Sequence, residues 1–243
     1  MTKHVVISGG GPAGLYAAIV LMSRNTSTET KYSVELVDAG DDYGTNEIKP
    51  KRSWMIGLSA HGIGALKKIP GLYEDYVSKV GVLIKSATIH VNKTTMTFDT
   101  SEMGDSYNVD RNFVVAELSR YLHDKFGNDP ALTMRWNTKV LFIDGETHEV
   151  VGRNTNTGKD IRLKYDLLLG CDGSRSSTRA AFHATHRDFE FTYTSTVGAG
   201  KGAHIDFPKG YDHESMHILI EPIPGGSSFC LAEQGGKMNF NLG

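Results

Sequence analysis

The chain has 243 residues, 39% of them hydrophobic and 22% charged, which is enough material for one large or two modest globular domains. Its formal net charge of -2 and pI near 6.5 argue against a nucleic-acid-binding surface. Two cysteines without paired spacing suggest neither a disulfide framework nor a zinc site, and no apolar run is long enough for a membrane span, so we expect a cytoplasmic protein.

A strand, a glycine turn, a helix and a second strand follow each other at the start of the chain. The apolar run Val5 to Ser8 stops at Gly9, Pro12 to Ser23 has helical periodicity, and SVELVD ends at Asp38. A βαβ unit of this kind predicts a parallel sheet.

The glycine turn matches the pattern G-x-G-x-x-G at Gly9, Gly11 and Gly14, with Pro12 and Ala13 between the last two. The first glycine permits a tight turn, the second lets the backbone approach a pyrophosphate, and the third allows the helix to pack closely on the strand. The phosphate would then lie at the helix N-terminus, where free N–H groups and the helix dipole stabilise its charge. The alternative is a tight turn without a ligand.

Asp38 is the expected partner of the ribose hydroxyls, because an acid at the end of the second strand performs this role in dinucleotide sites. Asp41 and Asp42 follow closely and are alternatives. From the glycine turn and Asp38 alone, the expected ligand is either NAD or FAD.

The remaining elements alternate between helices and short strands. We predict a helix from Leu58 to Lys68, two strands from Val80 to Phe98 with a turn at Asn92-Lys93, and a helix from Arg111 to Phe126. The segments KVLFID, HEVVGR and DIRLK predict a β-meander, YDLLLG predicts a buried strand, and the region from Phe189 to Gly243 is strand-like.

A second glycine loop follows that buried strand and has the pattern Asp172-Gly173-x-x-Ser176-x-x-Arg179. An Asp-Gly turn after a meander favours FAD over NAD, while a helix-capping Asx turn is the alternative. The pattern resembles the Asp-Gly motif of the flavoprotein aromatic hydroxylases, the single-component FAD monooxygenases of the para-hydroxybenzoate hydroxylase type.

Further segments resemble the kynurenine 3-monooxygenase branch of that family, namely Arg52 to Ile69, Arg111 with its helix, ATIH and MHILIEPIP. The resemblance implies that Gly9, Gly11, Gly14 and Asp38 hold the ADP half of FAD. It also implies that Arg52, Arg111, Asp172 and Gly173 lie along the rest of the cofactor; both arginines could instead be surface charges.

The implied fold is α/β, with a Rossmann-like FAD-binding domain (parallel sheet, helices and β-meander) at 1–78 and 105–185. A partial β-rich substrate domain would occupy 79–104 and 186–243. The implied activity is hydroxylation of a small aromatic molecule with NADPH and O2. The alternatives are a non-catalytic nucleotide-binding remnant or interaction protein, and a flavin reductase or dehydrogenase.

Two departures from the family pattern qualify this expectation. Ala87 and Phe98 stand where the kynurenine branch is expected to have an arginine and a tyrosine, which argues against kynurenine as the substrate. The family's later Gly-Asp-Ala-Ala-His motif is absent before Gly243, so we expect the N-terminal half of such an enzyme, with a C-terminal membrane anchor as an open alternative. No catalytic residue is assigned.

Two other patterns in the sequence do not predict a catalytic or metal-binding function. GLSAHG lacks the second glycine of a G-x-S-x-G nucleophile elbow, and the histidines have no metal-ligand spacing, so neither hydrolysis nor a metal site is expected.

Overall fold

The computed structural model describes residues 1–26, 29–46, 48, 55–194, 201–221 and 226–243. The chain forms two compact units. The first comprises Met1–Ile48 and Val115–Tyr193, and the second comprises Lys49–Val114 and Thr194–Gly243. Each unit is thus built from two separate stretches of sequence. The assignment of FAD to one predicted domain and of substrate to the other stays a prediction.

Helices and strands alternate along the described residues. The helices are α1 (Pro12–Met22), α2 (Ala60–Leu66), α3 (Arg111–Phe126) and α4 (Ser177–Thr185), with short helical turns at Leu72–Tyr76, Val77–Val80 and Ser101–Met103. The strands of the first unit are β1 (Lys3–Ser8), β2 (Tyr32–Val37), β8 (Leu132–Arg135), β9 (Thr138–Asp144), β10 (Glu149–Asn154), β11 (Asp160–Lys164) and β12 (Leu167–Gly170). Those of the second are β3 (Met55–Leu58), β4 (Gly81–Ile84), β5 (Ser86–Val91), β6 (Thr94–Asp99), β7 (Ser106–Asp110), β13 (Lys201–Asp206), β14 (Ser215–Ile220), β15 (Ser227–Glu233) and β16 (Lys237–Leu242).

A parallel sheet with the strand order β12-β1-β2-β8 forms the centre of the first unit. Strand β1 lies inside this sheet, and its residues Val5, Val6 and Ile7 are fully buried. A short continuous apolar run is what a strand buried on both faces requires. The carboxyl ends of the four strands therefore lie along one edge of the sheet.

The meander β9-β10-β11 is antiparallel and packs against the parallel sheet through a shared hydrophobic core. Val6 and Val37 of the sheet contact Ile143, Val150 and Leu163 of the meander. Burial of such aliphatic side chains stabilises the folded state by roughly 1.5–3 kcal/mol each. The α/β fold with a parallel sheet and a meander, predicted from the sequence, is confirmed.

The second unit contains a six-stranded sheet of order β13-β16-β15-β14-β5-β6 and a three-stranded sheet of order β3-β7-β4. All neighbours in the larger sheet are antiparallel except β14 and β5. One face of the larger sheet is buried through Cys230, Ala232 and Met238, against which Phe207 and Val82 pack.

Several predicted elements differ from the structure. The predicted helix from Leu58 is shorter, because Met55–Leu58 forms β3 and the helix starts at Ala60. The strand-like region predicted from Phe189 has no strand before Lys201 among the described residues. Arg52 and the end of the MHILIEPIP segment lie outside the described residues. In the part of the chain that is described, no helix combines the length and apolar character needed to cross a membrane.

Candidate functional site

The carboxyl edge of the parallel sheet brings the two glycine loops side by side. The N–H of Gly9, just after β1, donates to the carbonyl of Val37 at 2.8 Å. The N–H of Cys171, just after β12, donates to the carbonyl of Ser8 at 2.7 Å. Both glycine patterns thus open onto one site, although more than 150 residues separate them in the sequence.

Gly9 and Gly14 are required by close packing within this edge. Gly9 has φ +108°, and a Cβ built on it would lie 2.3 Å from the carbonyl oxygen of Cys171. A Cβ on Gly14 would lie 1.8 Å from the carbonyl oxygen of Gly9. These two glycines join the turn to the second loop and to α1, so their first role is structural.

Gly11 has a different environment. It caps the N-terminus of α1 with φ -74°, and a Cβ built on it would meet no atom within 4 Å. Pro12 occupies the first turn, where its missing N–H costs nothing, and the first turn contains no acidic residue. The first-turn N–H groups of a helix have no partner within the helix, and the dipole is positive at this end. Because no atom of the described residues lies close in front of Gly11, this N-terminus is an arrangement that binds a phosphate. Ala13 is exposed beside it.

Asp38 is the acid that reaches the glycine turn. Its Oδ2 accepts a hydrogen bond from the N–H of Gly10 at 2.6 Å, and its Oδ1 accepts one from the N–H of Gly40 at 2.6 Å. Each carboxylate oxygen has a second acceptor position for a ribose hydroxyl. That Asp38 binds ribose stays a prediction.

Asp42, one of the alternatives to Asp38, has another role. It is buried, and its carboxylate accepts a hydrogen bond from Ser119 Oγ at 2.6 Å and lies 2.5 Å from His123 Nε2. These contacts fix the loop after β2 onto α3. The structure therefore places Asp38, rather than Asp42, against the glycine turn.

Asp172 organises the second glycine loop. Its Oδ1 accepts a hydrogen bond from Ser176 Oγ at 2.6 Å, and its Oδ2 accepts one from the N–H of Thr178 at 3.0 Å. Ser176 Oγ in turn accepts from the N–H of Arg179 at 2.9 Å and caps α4. Gly173 has φ +79°, which favours glycine at that position. The helix-capping turn that the sequence offered as an alternative interpretation of this motif is therefore present. It lies in the same loop that contacts the glycine turn.

Replacing Ser176 with alanine should lower the free energy of unfolding by about 1 kcal/mol, because the cap of α4 loses its acceptor. Urea unfolding followed by circular dichroism measures this change. Ser177→Ala, at the next and exposed position, is the matched control and should leave the unfolding midpoint nearly unchanged. Equal midpoints for both variants would show that the cap does not stabilise the helix.

Cys171 is a poor nucleophile in this loop. Burial and the neighbouring carboxylate of Asp172 raise the pKa of the Cys171 thiol. A raised pKa means a smaller thiolate fraction near neutral pH, and the thiolate is the reactive form. We expect iodoacetamide to alkylate Cys171 more slowly in the folded protein than in urea, with a rate that rises only in more alkaline buffer. Peptide mapping by mass spectrometry measures both rates, and equal rates would contradict the prediction.

Trp136 is a site residue that the sequence analysis missed. It follows β8, and its ring lies 2.6 Å from the position of a Cβ on Gly10. Its Nε1 is buried and has no hydrogen-bond acceptor among the described residues. The benzo edge of the indole, rather than Nε1, therefore borders the glycine turn and presents an apolar surface there.

The remaining predicted site residues are two arginines. Arg111 is the first residue of α3 and belongs to the second unit. Arg52 lies outside the described residues. Their roles toward a cofactor stay predictions.

The chain matches a protein-family model described as "FAD binding domain" over residues 57–238. It is 25% identical to a kynurenine 3-monooxygenase of Cryptococcus neoformans var. neoformans serotype D (strain JEC21 / ATCC MYA-565), with 99% of this chain and 50% of that protein covered. The chain therefore spans about half the length of this curated relative.

Solved structures share the fold. The p-nitrophenol 4-monooxygenase PnpA of Pseudomonas putida DLL-E4 superposes with a TM-score of 0.73 at 18% identity, covering 99% of this chain and 57% of that one. A variant of HpxO from Klebsiella pneumoniae, complexed with FAD, superposes with a TM-score of 0.67 at 17% identity, covering 99% and 56%. At these identities the likeness concerns the fold alone.

Proposed function

Because this chain belongs to the FAD binding domain family, we propose that it is the FAD-holding part of a monooxygenase that hydroxylates a small aromatic molecule with NADPH and O2. The observation that carries the proposal is the joining of two glycine loops at one sheet edge, with open space in front of Gly11.

The residues at that edge fit the cofactor. The open space at Gly11 and the N-terminus of α1 suit the pyrophosphate, since an anion gains both N–H donors and the helix dipole there. Pro12, Ala13 and Gly14 continue this cradle. Asp172 and Gly173 would approach the flavin half, with Arg52 and Arg111 as cationic donors along the cofactor.

The ADP half would lie toward β2 and β8. Asp38 would accept hydrogen bonds from ribose hydroxyls while it keeps its bonds to the turn. Trp136 would supply an apolar ring surface beside Gly10. This side of the site selects a ribose with free hydroxyl groups.

Bound FAD would supply the redox chemistry, taking electrons from NADPH and using O2 to add one oxygen atom to an aromatic ring. The residues of this chain bind and orient the cofactor and exclude water around it. The names of the relatives, kynurenine 3-monooxygenase and p-nitrophenol 4-monooxygenase, support an aromatic substrate.

We infer a substrate other than kynurenine. Ala87 and Phe98 lie directly opposite each other on β5 and β6, and neither offers a charge for a carboxylate. Lys85, the nearest preceding cation, is paired with Glu214 at 2.8 Å. An aromatic molecule without an amino-acid tail suits this environment better.

Titration of the purified chain with FAD, monitored by flavin fluorescence, tests the first part of the proposal, which is that the chain binds FAD. NADPH consumption, O2 uptake and product mass spectrometry with phenols and aromatic amines, all measured on the native full-length protein, test the second. Hydroxylated product supports the monooxygenase, whereas FAD binding without product would favour the non-catalytic alternative. Oxidation of NADPH without incorporation of oxygen would favour a reductase, and failure to bind FAD would refute the proposal.

A further inference from the structure

The outermost strand of the six-stranded sheet, β6, has an open edge. It pairs with β5 on one side, and no strand among the described residues pairs with its other side. All of its residues, Thr94–Asp99, are exposed, including Met96 at 45% and Phe98 at 50%. The free backbone groups of such an edge are a template on which a further strand can pair.

The sequence of β6 lacks the features that usually prevent such pairing. Threonine and phenylalanine favour strands, and the only charged residue is Asp99 at the end of the strand. Its register with β5 is continuous, without a bulge. At the opposite edge of the sheet, β13 carries Lys201 and Asp206 at its ends and Gly202 within it, and charges and glycine of this kind discourage a further strand. Of the two edges of this sheet, β6 is therefore the one suited to pairing.

The hairpin turn before β6 determines which of its backbone groups point outward. Only two residues separate Val91 from Thr94, so the hairpin closes on a hydrogen-bonded pair. Such pairs alternate with non-hydrogen-bonded pairs, so the groups directed toward β5 are the N–H and C=O of Thr94, Met96 and Phe98. The N–H of Thr100, the next residue in this series, donates to the carbonyl of Lys85 at 2.9 Å, in agreement with this alternation. The N–H and C=O groups that face outward are therefore those of Thr95, Thr97 and Asp99.

A second copy of the same strand fits these outward groups. With a two-fold axis at Thr97, each Thr97 would face the partner's Thr97, and each Thr95 would face the partner's Asp99. Because all three residues direct their N–H and C=O groups outward, each facing pair would exchange hydrogen bonds. Met96 would then lie opposite the partner's Phe98, in a non-hydrogen-bonded pair where side chains come closest. In this register, polar groups meet polar groups and apolar side chains meet apolar side chains.

The charges at this edge are self-complementary in the same register. Asp99 would face the hydroxyl group of the partner's Thr95 rather than another carboxylate. Its Oδ1 accepts a hydrogen bond from the N–H of Ser101 at 2.7 Å, and its Oδ2 would be available to the partner. Lys93 is exposed in the hairpin turn, two residues before Thr95, and its long side chain would reach the partner's Asp99. The formal net charge of -2 per chain opposes association only weakly.

We propose that two copies of this chain form an antiparallel dimer through β6, in the register centred on Thr97. The two six-stranded sheets join into one continuous sheet, and the two-fold axis closes the assembly. A single pair of edge strands buries less area than an interface of standard size, so the dimer is weak, with a dissociation constant in the micromolar range. This association does not depend on FAD or on the proposed reaction.

Disulfide trapping in the full chain tests the register. The Cα atoms of a hydrogen-bonded antiparallel pair lie about 5.5 Å apart, a distance that a disulfide can bridge. Thr97→Cys should therefore give a covalent dimer when the protein is oxidised with copper phenanthroline at micromolar concentration. Thr95→Cys is the matched control: it is also exposed and lies on the same strand face, but its two copies would be about 13 Å apart and should not cross-link. Non-reducing gel electrophoresis measures the covalent dimer, and peptide mapping identifies the bonded position.

Sedimentation velocity over a range of micromolar concentrations measures the dimer without a cross-link. Lys93→Glu should raise the dissociation constant by about fivefold or more, because an attraction across the axis becomes a repulsion, and Asp99→Lys in the same chain should reverse this effect. Circular dichroism confirms the fold of each variant, and Lys93→Glu serves if Thr97→Cys does not fold. The inference is overturned if the wild-type chain stays monomeric, if Thr95→Cys cross-links as readily as Thr97→Cys, or if Lys93→Glu associates as tightly as wild type.

Discussion

A Gly11→Ala variant should bind FAD at least about 100-fold more weakly than wild type while it keeps its fold. The added methyl group would project into the open space in front of α1, where no protein atom lies within 4 Å. A pyrophosphate held there would be pushed away from the N–H donors of the first turn. Loss of one or two charge-assisted hydrogen bonds, at roughly 1.5–3 kcal/mol each, accounts for that factor.

Flavin fluorescence titration measures the affinity, and thermal unfolding without FAD measures the fold. The unfolding free energy should fall by no more than about 1 kcal/mol, because alanine is only a poorer helix cap than glycine. Gly64→Ala is the matched control: it is exposed on α2, and its Cβ likewise meets no atom within 4 Å. Unchanged FAD affinity in Gly11→Ala would show that the pyrophosphate binds elsewhere.

Gly14→Ala should instead destabilise the protein itself and lower its free energy of unfolding by about 3 kcal/mol or more. Its Cβ would lie 1.8 Å from the carbonyl oxygen of Gly9 and 3.3 Å from Cβ of Cys171. The first of these atoms belongs to the backbone, so relief requires that the turn open or α1 move away from the sheet. Either movement breaks the contact between the two glycine loops.

Urea unfolding without cofactor measures this loss, with Gly11→Ala as the control in the same turn. Most of the Gly14→Ala protein is expected to be insoluble or to unfold at a much lower urea concentration. The same midpoint in both variants would mean that the close approach of α1 to the turn is not required for folding. Together the two variants separate what the turn does for the fold from what it does for a ligand.

The sequence predicted best those elements whose partners are near in the chain. The unit β1-turn-α1-β2, the three meander strands and α3 follow from local periodicity and turn residues. In contrast, β3 and β8 have four residues each, and they exist because they pair with β7 and β2. Strands this short carry too little pattern to be recognised without their distant partners.

The same distinction applies to the site. The glycines of both loops were identified because each position has a local conformational reason. Trp136 was missed because its place beside Gly10 follows from the order of β2 and β8 in the sheet, which no local pattern encodes.

The place of β1 between β2 and β12 also has a consequence for synthesis on the ribosome. β2 follows β1 directly, but β12 is made only after the meander, so one edge of β1 has no native partner in the nascent chain. At about 5–20 residues per second, translation from Val37 to Leu167 takes roughly six to twenty-six seconds. During that time an apolar strand of the buried type presents an open edge, which is prone to aggregation. The glycine turn is therefore translated early, but the second loop that packs against it is translated only after the meander.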